Sequence, residues 1–82
     1  MQDGPEQRVV RAAVEALGDT LAVARALVGA GREVDLEGLD RGAARVCAAV
    51  MALPLNEARV LLPALEEVLR QLDAMAASIG PP

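Results

Sequence analysis

Residues 53–63 read LPLNEARVLLP and set two prolines, Pro54 and Pro63, inside what is otherwise one long helical pattern. How these prolines are read decides the helix count. Proline lacks a backbone donor and pushes the residue before it out of the helical region. At Pro54 the neighbouring signals agree on a break. Asn56 is a strong N-cap type, Glu57 falls in the first turn after it, and Leu55 and Val60 have the spacing of a hydrophobic staple. Pro63 reads differently. Leu65, Leu69, Leu72, Ala76 and Ile79 keep the register that Ala58 and Leu62 set. An unbroken register predicts one bent helix, because Pro63 shares the polar side with Arg59, Glu66 and Arg70, where a bend wraps the core. The competing reading makes residues 56–62 a short turn and starts the main helix at Pro63. The third helix is predicted over about residues 57–78, ended by Gly80, Pro81 and Pro82.

Working back toward the start, residues 36–52 form the predicted second helix. Asp35 is its N-cap, with Val34 before it able to pack on the following turn. Leu36, Leu39, Ala43, Val46, Val50 and Leu53 recur at steps of three and four, and Glu37 and Arg41 have i,i+4 spacing. The first helix is predicted over residues 6–29, entered through Asp3, Gly4 and Pro5 and ended by Gly29 and Gly31. Its seam is Val10, Val14, Leu17, Leu21, Ala24 and Val28, a heptad pattern. Arg8, Arg11, Glu15, Asp19, Arg25 and Arg32 take the opposite side, and Gly18 interrupts that polar side at about 1 kcal/mol of helix propensity. Residues 1–4 and 80–82 are expected to be frayed tails.

Three helices with short connections predict an all-α fold, an antiparallel three-helix bundle in a single domain over residues 1–82. A helical hairpin that dimerises is the rival. At 82 residues the chain buries a modest core, and with no Phe, Tyr or Trp that core is thinner still. Apolar residues make up 54% of the chain but are mostly Ala, Leu and Val. The shortage of bulky side chains is the first sign that a second chain contributes.

Composition excludes several functions. The net charge is −4 and every basic residue is an arginine, spread singly with no aromatic to stack on a base, which argues against nucleic acid. There is no His and one Cys, so no Ser-His or Cys-His nucleophile, no internal disulfide and no ordinary zinc site. The only side-chain hydroxyls are Thr20 and Ser78. No signal peptide and no membrane span are read, so a cytoplasmic location is expected. The chain resembles small bacterial helical adaptor or chaperone-like proteins in class, with no diagnostic motif.

The motifs that invite chemistry each have a plainer reading. GAGRE at 29–33 looks like a phosphate loop but lacks the Lys-Ser/Thr ending and follows no strand; a helix C-cap explains both glycines. Asp35, Glu37 and Asp40 could hold calcium weakly, but an N-cap with dipole-complementing acids suffices. Glu66, Glu67 and Asp73, with Arg70 among them, read as a solvated face. Cys47 reads as a small buried hydrophobe, with an intermolecular disulfide switch as the alternative. The stretch VDLEGLD lacks the serine that an acyl carrier would present. No catalytic, cofactor-binding or metal-ligating residue is assigned, and no cofactor is expected.

What remains is an excess of apolar surface. A second stripe of Val9, Ala13, Ala16, Val23 and Leu27 flanks the first seam, and Leu61, Val68 and Met75 do the same on the third helix. Met51, Leu61 and Met75 are the candidates for an exposed contact patch. The expected function is a non-enzymatic helical interaction module that self-associates as a homodimer or larger assembly. The alternative is a chaperone-like or regulatory adaptor that receives the amphipathic helix of a specific protein partner.

Overall fold

The computed structural model describes residues 4–79. Its elements are α1 (Pro5–Gly29), α2 (Leu36–Met51) and α3 (Leu55–Ile79), and each helix packs on the other two in a rod of 47 × 18 × 18 Å. The chain forms the bundle by itself, not a hairpin that waits for a second copy to make its core.

Helix α1 starts where the sequence says it should. Gly4 is extended at φ −67° and ψ 155°, its carbonyl accepts from the Arg8 N–H, and Pro5 takes the first helical position, where a missing donor costs nothing. Gly4 is half-buried; the other positions of the expected tails, 1–3 and 80–82, lie outside the described residues. At the far end one glycine does the work. Gly31 has φ +78°, the Gly31 N–H donates to the Val28 carbonyl at 3.0 Å, and the Arg32 N–H donates to the Leu27 carbonyl at 2.8 Å. That pair of bonds is a Schellman closure, and the left-handed residue it needs is Gly31, while Gly29 is still helical. GAGRE is therefore a helix end.

Helix α2 opens on Asp35, whose Oδ1 accepts from the Gly38 N–H at 3.0 Å. Val34 packs against the core beside it. The chain turns after Met51 through Ala52 and Leu53, with Leu53 buried and Pro54 exposed. Helix α3 then begins two residues earlier than read. The Pro54 carbonyl accepts from both Glu57 and Ala58 N–H groups at 2.9 Å, so Leu55 opens the helix and Asn56 is inside it. Asn56 is not the cap, and Leu55 and Val60 are both exposed and form no staple. The physical reason is the tight turn: with Leu53 held in the core, Pro54's carbonyl is already placed to take the first helical bond.

One helix runs through Pro63. Pro63 is exposed with Arg59, Glu66 and Arg70, so the carbonyl it leaves unpaired faces the outer side, where water can satisfy it. The deep seam of α3 is Ala58, Leu61, Leu65, Val68, Leu72 and Met75. The sequence reading centred it on Leu62, Leu69, Ala76 and Ile79. Leu62 and Leu69 are half-buried at the core's edge, and Ala76 and Ile79 are exposed. Both stripes are apolar at heptad spacing, and the arrangement of α1 and α2 selects between them.

The levels of the helices follow from a few contacts. Gln7 of α1 donates from Nε2 to the Glu57 carbonyl of α3 at 3.2 Å, and a Cβ at Gly18 would lie 3.5 Å from Val68. Thus α1 and α3 run parallel, and Gly18 faces a neighbouring helix rather than the polar side assigned to it. A Cβ at Gly42 would lie 3.9 Å from Leu17, and Val9 sits beside Ala49 and Ala52 while Leu27 sits beside Val34, so α2 runs antiparallel to α1. The bundle is up-down-up. Its core is Val, Leu and Ala with Met75, closed by Leu21 and Val50 at 0% exposure.

Candidate functional site

The three patch candidates do not form one surface. Met51 is 68% exposed, but Leu61 at 3% and Met75 at 4% belong to the core. Both lie in the α3 seam, and a charge at either would break the bundle rather than a contact. Met51 shares an edge of α2 with Asp40, Ala44 and Cys47, away from α1. Cys47 itself is half-buried and packs on the core.

The large exposed apolar surface gathers elsewhere. On α1, Val9 is 71% and Val23 62% exposed, and Leu27 is exposed with them. They belong to a row Val9, Ala13, Ala16, Thr20, Val23 and Leu27, spaced four, three, four, three and four, with no charge in it. Thr20 does not break the row. Its hydroxyl donates to the Ala16 carbonyl at 2.9 Å, a bond within the helix that leaves the methyl as the outer surface. The sequence reading found this stripe without Thr20, since a hydroxyl counts as polar until its partner is known.

Beside the row, α2 turns a matching set of small residues outward: Gly38, Gly42, Ala49 and Ala52, with Arg45 among them at the same three–four spacing. Side chains this short cannot close the valley between the helices. It remains open at both ends. One groove of about 600 Å³ is lined by Thr20, Val23, Leu27, Val34, Gly38 and Leu39. The other, about 410 Å³, is lined by Pro5, Val9, Ala49, Ala52 and Leu53. Both are predominantly apolar, with Glu6 at one end and Glu33 and Asp35 at the other.

The acidic clusters have structural uses. Asp35 caps α2, Glu37 lies 3.9 Å from Arg41, and Arg70 lies 3.4 Å from Glu67 on an exposed face. Such surface pairs contribute little to stability. Among the described residues the buried polar side chain is Gln7, and its amide is satisfied by the Glu57 carbonyl. Sequence reasoning missed Gln7 because a lone Gln in a first helical turn looks like surface. Its position three residues before Val10, in step with the inner seam, is the signal that could have found it.

Among the described residues no helix is long and apolar enough to cross a membrane. No protein-family model, curated protein or solved structure matches this chain.

Proposed function

We propose that this protein is a non-enzymatic helical interaction module that self-associates, and that the face formed by α1 and α2 is its contact surface. The observation that carries the reading is the uncharged heptad row Val9 to Leu27, exposed along nearly the whole of α1. A row of this kind on one side of a finished bundle is what a further helix packs against. The mainly apolar lining of both grooves supports a binding role over catalysis, which needs convergent polar groups in a pocket. A lone half-buried thiol suits a reducing, cytoplasmic setting.

The experiment is solution mass by light scattering over a hundredfold concentration range, with a thermal melt at each point. The expected result is an assembly whose melting temperature rises with concentration. A folded species at the chain's own 8.5 kDa with an invariant melt removes the self-association reading. A second reading, an adaptor that receives one amphipathic helix from another protein, draws on the open valley floored by Gly38, Gly42, Ala49 and Ala52. It predicts that monomer, with the valley occupied only when the partner co-purifies.

A further inference from the structure

We infer that a second copy of this chain packs on the α1/α2 face with its α1 laid over α2 of the first, about a two-fold axis parallel to the helices. The inference rests on the self-association proposed above and specifies its geometry. The argument is one of charge and level. At 100° per residue, Glu15 and Asp19 fall on the edge of α1 away from α2, Arg41 falls toward the edge of α2 away from α1, and Arg45 stands next to it on the outward face among the small residues. All four are exposed. Within each pair the two residues are one helical turn apart, about 6 Å.

The two edges are also level. Leu17 lies against Gly42 and the helices are antiparallel, so Glu15 stands opposite the height of Arg45 and Asp19 opposite that of Arg41. The acidic pair and the arginine pair thus match in spacing and height, yet the outer row of α1 separates them within one chain; the opposite charges that share their edges, Arg8 on α1 and Glu37 on α2, stand at other heights. A two-fold axis along the bundle removes that separation. It carries α1 of the second copy over α2 of the first without changing its height. Glu15 and Asp19 of each copy then meet Arg45 and Arg41 of the other, and the α1 and α2 helices of both copies form a four-helix core.

Shape agrees with charge. In this arrangement Val23 comes to about the height of Gly38, and Val9 to that of Ala49 and Ala52, bulky side chains against small ones. The other two-fold arrangement, with its axis across the helices, stacks α1 on α1. It sets the Glu15 and Asp19 edge on its own copy and Arg41 and Arg45 on theirs, so like charges meet. Arg41 is free to change partner at little loss, since Glu37 is 3.9 Å away and both side chains are mostly exposed.

Two charge-reversed variants test this by light scattering: Glu15→Arg with Asp19→Arg, and Arg41→Glu with Arg45→Glu. Each alone is expected to weaken dimerisation about tenfold or more and to run as a monomer where the wild type is a dimer. Mixed in equal amounts they are expected to dimerise again, because each then supplies the sign the other lacks. A milder variant, Glu15→Gln with Asp19→Gln, is expected to lose most of the wild type's salt dependence. Dimers from either reversed variant alone, or a mixture that stays monomeric while the wild type dimerises, overturn this geometry and leave self-association standing. A wild type that is monomeric at every concentration overturns both.

Discussion

Helix α1 carries two apolar rows of the same heptad spacing, one residue apart in sequence. Val10, Val14, Leu17, Leu21 and Ala24 are all buried. Val9, Ala13, Ala16, Thr20, Val23 and Leu27 run alongside, and none of them is buried. The inner row faces the gap between α2 and α3 and is sealed by both. The outer row faces past α2, whose small residues at 38, 42, 49 and 52 are too short to cover it. The difference teaches that spacing marks a surface fit for helix packing, while a neighbour's bulk decides whether packing is completed inside the chain. The outer row is the apolar surface that packing within the chain leaves uncovered.

Substitutions at matched positions separate the rows most sharply. Leu21→Ala removes a fully buried side chain and is expected to lower unfolding free energy by about 3 kcal/mol, read by urea denaturation. In a domain this small that is a large part of the total. Val23→Ala, two residues on and in the outer row, is expected to change the monomer's stability by less than about 0.5 kcal/mol. The same variant is expected to weaken assembly in light scattering. Equal losses from both substitutions in the isolated monomer would erase the distinction between the rows.

The next effects test how the helices that carry the rows are held. Gly31→Ala forces a side chain into φ +78° and is expected to cost about 1–2 kcal/mol in a urea melt. Asp35→Ala removes the cap on the Gly38 N–H and is expected to cost about 1 kcal/mol. Gly38→Ala does not mimic it cleanly, since the new Cβ would press on the Asp35 carboxylate at 2.5 Å. The smallest expected effect has the opposite sign. Gly18→Ala places a methyl in ordinary contact with Val68 at 3.5 Å and is expected to stabilise by about 0.5–1 kcal/mol, raising the melting temperature.

Much of this was legible in the residues. Pro5, Asp35, Pro54 and the Gly31 region mark helix ends by local chemistry alone, and the helices fall within two residues of those marks. The register across Pro63 correctly predicted one helix. The start of α3 was misread because Asn56 is a strong N-cap type, while the position of Leu53 in the core makes Pro54's carbonyl the first acceptor. The contact patch was misread for a related reason. Leu61 and Met75 lie 100° around the helix from Leu62 and Ala76, and on α3 both stripes are apolar enough to face the core.

By itself the sequence determined what is local. It set three helices, the ends of α1, the cap of α2, the polar outer side of α3 and the seam of α1, since these depend on backbone donors, proline and glycine geometry and the 3.6-residue period. Only the tertiary structure decided what depends on a neighbour. It chose which of two adjacent stripes on α3 is core, turned Gln7 inward onto the Glu57 carbonyl, and set Glu15 and Asp19 at the same heights as Arg45 and Arg41. The reason is that burial and level belong to pairs of helices, and no single helix's periodicity contains the position of another.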